Sequence, residues 1–150
     1  MVNRVSAIAF AKTFGGSSSE GVYSVQQTSD GGYIVAGFTY SFGAGSDDVF
    51  LLKTDASGNL QWAKTFGGSG WDVPYSVQQT SDGGYIVAGF TYSFGAGDWD
   101  AFLLKTNASG NLQWAKTFGG SSYDSAYSVT DERWRLHCGW SDMVFRCGKL

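Results

Sequence analysis

The residues best suited to chemistry in this sequence are aspartates beside aromatic side chains. Asp47 and Asp48 close one Gly-rich stretch. Asp98, Trp99 and Asp100 close another, and Trp71-Asp72 form a third such pair. Carboxylates so placed can ligate a cation or act as general acid and base. Their alternative is to brace a loop by accepting backbone hydrogen bonds, and this is the role favoured for Asp48 and Asp100. Exposed Trp71 and Trp99 beside Asp47, Asp72 and Asp98 would suit contact with a glycan or a protein.

Other constellations carry less. Asp55-Ala56-Ser57-Gly58-Asn59 lacks the ligand alternation and terminal Glu of a calcium loop and reads as a hairpin turn. Phe42-Gly43-Ala44-Gly45 is followed by neither the Lys nor the helix of a phosphate loop. The single His and both Cys, at His137, Cys138 and Cys147, lie together near the carboxyl end. Two Cys and one His give no recognised zinc spacing. No Ser-His-Asp or Cys-His arrangement can be assembled from the rest of the chain, so a non-enzymatic protein without cofactor or metal is expected.

The elements that carry these residues are internal repeats. Ala-Lys-Thr-Phe-Gly-Gly begins at Ala11, Ala63 and Ala115, a period of 52 residues. Units 11–62 and 63–114 align without a gap and agree at 43 of 52 positions. A third copy starts at 115 and follows the pattern to Val129. Ile8 to Phe14 copies the end of a unit, so this segment is read as a repeat strand and the amino-terminal stretch is not read as a targeting signal.

Each complete unit reads as four short strands. In the first they are Tyr23–Thr28, Tyr33–Thr39, Asp48–Thr54 and Leu60–Phe66. β-branched and aromatic residues fill them, and Ser29-Asp30-Gly31-Gly32 and Asp55–Asn59 supply tight turns between them. The third strand is apolar on both faces, as a sheet sandwiched between similar sheets requires. The expected architecture is all-β, with β-propeller-type blades of four antiparallel strands: two complete repeats plus partial flanking blades.

Nine positions differ between the complete units, and eight fall in or beside two connections. These run from the fourth strand to the next first strand, and from the second to the third. In an up-and-down blade both emerge on one rim, which places Trp71, Trp99 and the neighbouring aspartates on a variable face.

Three segments carry a family resemblance: Ser81-Asp82-Gly83-Gly84-Tyr85-Ile86-Val87-Ala88-Gly89, Phe102-Leu103-Leu104-Lys105-Thr106 and Gly110-Asn111-Leu112-Gln113-Trp114. Together they resemble the Gly-rich β-propeller repeats of archaeal and bacterial cell-surface proteins and, more distantly, quinoprotein-like blades. The resemblance covers residues 7–129. It implies an extracytoplasmic or cell-surface setting and a scaffold or binding module. It transfers no catalytic residue, because the shared positions are turn and packing positions. A propeller needs about 4–8 blades, so self-association to complete a ring is expected. The runner-up functions are a fragment of a quinoprotein- or glycosidase-like propeller enzyme, and a nonfunctional truncated product.

Residues 130–150 differ in composition from the repeats. One permitted codon set for Val129 onward, read one base forward, gives a peptide matching Gln27 to Gly45 at 17 of 19 positions. This tail is therefore expected to be a frameshifted third repeat. Net charge is -3, with 10 basic and 13 acidic residues and no basic stripe, so the electrostatic footprint of a nucleic-acid binder is missing. No apolar run is long enough to cross a bilayer, so no membrane span is expected.

Overall fold

A computed structural model describes residues 12–130, 135–140 and 143–146. The described residues hold eleven strands and no helix, hence no helix long and apolar enough to cross a membrane. The first sheet contains β1 (Glu20–Gln27), β2 (Tyr33–Thr39), β3 (Asp48–Thr54) and β4 (Leu60–Phe66) in sequence order. The second repeats it with β5 (Asp72–Gln79), β6 (Tyr85–Thr91), β7 (Asp100–Thr106) and β8 (Leu112–Phe118). The third has β9 (Ala126–Thr130), β10 (Arg135–Trp140) and β11 (Met143–Arg146), with β10 central. All pairings are antiparallel.

The sequence-derived strands match the second, third and fourth strands of the first unit. The first strand begins earlier, at Glu20. Glu20, Gly21 and Val22 continue the ladder opposite Thr39, Phe38 and Gly37, and a bulge between Val22 and Ser24 absorbs the change of register. This variable stretch was expected to be a connection. The same bulge in β5, between Pro74 and Ser76, admits a proline because β5 is an edge strand of its sheet. Three variable positions of the second unit, Asp72, Val73 and Pro74, are thus strand residues. β10 and β11 fall within the tail of divergent composition; Ile8–Ala11 and Cys147 lie outside the described residues.

The tight turns use glycine where the chain must turn left-handed. Gly83 and Gly110 have φ of +79° and +75°, a region other residues enter only at a cost. Asp82 accepts a hydrogen bond from the Gly84 N–H at 2.9 Å, and its carboxylate pairs with the buried Lys105 ammonium at 2.9 Å. Lys105 also donates to the Thr106 carbonyl and to Gln113. Asp30, Lys53, Thr54 and Gln61 repeat this network in the first sheet. A buried ammonium surrounded by acceptors is tolerated; an unpaired one would not be.

The sheets stack face to face. The rear of the first sheet brings Ile34, Ala36, Val49 and Leu51 against Val77, Tyr85, Val87 and Phe102 on the front of the second. One repeat later, Ile86, Ala88, Ala101 and Leu103 meet Ala126 and Val129 of the third. The first strands β1, β5 and β9 lie side by side along one edge of the stack. Side chains there bridge from sheet to sheet. The Val77 N–H donates to Ser24 Oγ at 3.2 Å, and the Val129 N–H to Ser76 Oγ at 3.4 Å. The second sheet lies between the first and the third, and its β7 is buried on both faces.

Candidate functional site

The two variable connections meet on one rim. The Tyr92 N–H donates to the Trp71 carbonyl at 2.7 Å, which ties the β6–β7 loop to the segment entering β5. The Asp72 N–H donates to the Asp47 carbonyl at 2.7 Å, and the Asp124 N–H to the Trp99 carbonyl at 2.8 Å, so each loop also holds the next sheet.

The seven residues singled out in the sequence divide into two groups. Asp48, Asp72 and Asp100 are buried. Asp48 and Asp100 each accept a backbone N–H four residues upstream, from Ala44 and Ala96, both at 2.7 Å. Asp72 accepts from the Gly68 N–H at 2.8 Å and the Ser93 hydroxyl at 2.6 Å. Burial raises the Asp48 carboxyl above its ordinary value, against the Ala44 hydrogen bond, and Asp72 and Asp47 add to the rise. Gly67 packs so closely here that a Cβ would fall 1.9 Å from Asp48 Oδ1, leaving room for glycine alone. These three carboxylates hold loop backbone in place. Asp47 is half-buried; its Oδ1 has no hydrogen-bond partner, and burial raises its carboxyl. Among the described residues no group of three or more His, Cys, Asp or Glu could hold a metal ion.

Trp71, Trp99 and Asp98 form the second group, and tyrosines join them. Trp71 meets Tyr92 edge-on with ring centroids 6.2 Å apart. Tyr92 meets Trp99 at 6.3 Å, and Trp99 meets Tyr123 at 4.8 Å. Phe90 supports Trp99 from below at 4.8 Å. The Tyr92 hydroxyl donates to Asp98 Oδ1 at 3.5 Å. Trp71, Tyr92 and Tyr123 are about half exposed, at 47%, 48% and 52%. The result is a continuous aromatic shelf across the junction of the second and third sheets, with a carboxylate at its edge.

Tyr92 and Tyr123 were not among the candidates taken from the sequence. Tyr92 is common to both complete units and so was hidden by its identity with Tyr40. Tyr123 was legible, since it stands 52 residues after Trp71. At the junction of the first and second sheets Asp47 takes the place of Trp99, and the rings that meet there are Tyr23 and Tyr75, 5.5 Å apart.

No family model matches the chain. Regulatory protein FlaEY of Caulobacter vibrioides is similar to it, with 30% identity over 98 residues. The match covers 57% of this chain and 10% of that protein, so the chain spans about a tenth of the length of the relative.

Proposed function

We propose that the stacked sheets are β-propeller-type blades of a non-enzymatic scaffold belonging to a surface or secreted protein, and that its rim binds glycan. One observation carries the reading: Trp71, Tyr92, Trp99 and Tyr123 make an unbroken chain of ring contacts while three of them stay about half exposed. Folding alone gives no reason to leave so much aromatic surface in water. An aromatic face offers the C–H faces of a sugar ring apolar contact, with an amphipathic edge for its hydroxyls. Asp98 supplies an acceptor at that edge. Trp71 and Trp99 stand at loop positions that differ between the two complete units, and variable loops on a rigid scaffold are where a binding function is carried.

The test is a screen of the intact chain on a glycan array, followed by calorimetry on any ligand found. Trp99→Ala should weaken binding at least tenfold, with the fold retained by circular dichroism. An array without signal, or full affinity in Trp99→Ala, would sink the reading. Capture of a folded protein that depends on Trp99, with no glycan bound, would replace glycan by protein as the ligand.

A further inference from the structure

The front face of the first sheet is exposed at positions where that of the second sheet is buried. Val25 is 58% exposed, whereas Val77, its counterpart one repeat later, is 5% exposed beneath the first sheet. Tyr33 is 39% exposed and Tyr85 only 2%. Val22 is 58% exposed, and its counterpart Pro74 is fully buried. Nothing in the local sequence explains the difference, because the strands are nearly identical. What differs is the presence of a neighbouring sheet.

Part of a neighbour is already there. A groove of about 330 Å³ lies where residues 13–15 run over Phe50, Leu52 and Leu60. A larger groove of about 530 Å³ lies between the first and second sheets. Every residue lining the smaller groove has its counterpart, 52 positions later, in the larger one. Residues 12–16 therefore sit on the first sheet as residues 64–68, the end of β4 and the two glycines after it, sit on the second. They occupy the place of an outer strand, and among the described residues no sheet includes them. The third sheet has the reverse deficit: among the described residues it consists of β9, β10 and β11, and the outer edge of β11 has no strand beside it.

We propose that the third sheet of a second copy of this chain docks on the front face of the first sheet, beside residues 12–16, and that two copies close head to tail. The occupant is fixed by continuity with an interface that the chain makes twice within itself, first sheet on second and second on third. The first strands show how the step continues. The N–H groups of Val77 and Val129 donate to Ser24 and Ser76; the next bond in the series joins the Val25 N–H to Ser128 Oγ of the second copy. Residues 12–14 then run along the open edge of β11 and serve as its fourth strand, which removes an exposed edge from each copy. With three sheets among the described residues of each chain, two copies place six around the ring, within the range of about 4–8 in which propellers close. One copy has too few, and three have too many. The proposal rests on the blade reading above, but it is tested by mass and not by ligand, so its failure leaves the glycan test standing.

Sedimentation velocity on the full chain, from micromolar to about a hundred micromolar, decides it. The expected result is one discrete species of twice 16.1 kDa. Val25→Asp should convert it to a folded monomer with an unchanged far-ultraviolet spectrum, because Val25 is exposed in the single chain. Val22→Asp, on the same face, repeats the test independently. A monomer throughout, an open-ended series growing with concentration, or a two-copy species that survives both substitutions would each overturn the proposal.

Discussion

β1 and β5, and likewise β2 and β6, are nearly the same peptide in two environments. From Tyr75 and Tyr23 onward the residues are identical through both second strands, yet β6 is buried along its whole length while β2 is exposed at Tyr33 and half-buried at Val35 and Phe38. Backbone pairing does not change between them: the registers of β1 with β2 and of β5 with β6 correspond residue for residue, bulge included. Strand formation in this chain is therefore a property of the repeat. Core formation is a property of the junction between repeats, since the second sheet is buried by the sheet before it and the sheet after it.

The largest test of that contrast is the tyrosine pair. Tyr85 packs edge-on against Trp62 with centroids 5.7 Å apart, in the core between two sheets. Tyr85→Ala should cost about 3–5 kcal/mol, as for other large aromatic truncations. Tyr33→Ala should cost less than about 1 kcal/mol in the single chain. Urea unfolding of both variants, at a concentration where the chain is monomeric, checks the difference; equal costs would break the comparison.

The buried lysines predict the opposite outcome. Lys53 and Lys105 have the same partners, all within their own sheet, and both are about 3% exposed. Lys53→Ala and Lys105→Ala should each cost about 2 kcal/mol, from lost charge-assisted hydrogen bonds and stem packing. Similar losses would show that this network is independent of the neighbouring sheet. A much smaller loss in the first sheet would show that even the turns depend on stacking.

The smallest effect is the pH dependence, where the sign differs between sites. Hydrogen bonds from Thr80, then Lys105 and Gly84, hold the Asp82 carboxyl far below its ordinary value, and Thr28, Lys53 and Gly32 do the same for Asp30. A carboxyl lowered by folding stabilises the protein above its unfolded pKa, near 4, and that contribution is lost as pH falls below it. Asp47 is raised by burial, so its ionisation opposes folding above about pH 4 and protonation relieves the cost. Asp47→Asn should thus raise the thermal midpoint at pH 7, by an amount that vanishes toward pH 3. Asp82→Asn should lower the midpoint at pH 7 and flatten the loss on acidification. Thermal melts between pH 3 and 7 test both directions.

The rim and the core were legible to different depths. The period, the turns at Asp82-Gly83-Gly84 and Asn107–Gly110, and three of four strand positions per unit follow from local chemistry: β-branched runs interrupted by residues that tolerate left-handed backbone. The early start of β1 was hidden because Glu20, Gly21 and Val22 vary between units, and only pairing with β2 makes them strand. The candidate aspartates were visible as types, but their roles were not. Asp48, Asp72 and Asp100 are committed to loop backbone, which depends on how one sheet's loop meets the next sheet's entry. Trp71 and Trp99 could be picked out by their variability, whereas Tyr92 became part of the shelf only when the β6–β7 loop folded over the segment before β5.

The amino-acid sequence by itself determined the repeat, the antiparallel four-stranded unit and its turns, because these depend on interactions within about fifty residues that every copy carries. Tertiary structure alone decided which copy of each apolar side chain is buried, which carboxylates are spent on backbone and which aromatics share one shelf. Burial is a relation between surfaces: identical strands present identical faces, and only the sheet lying against a face determines whether water remains on it.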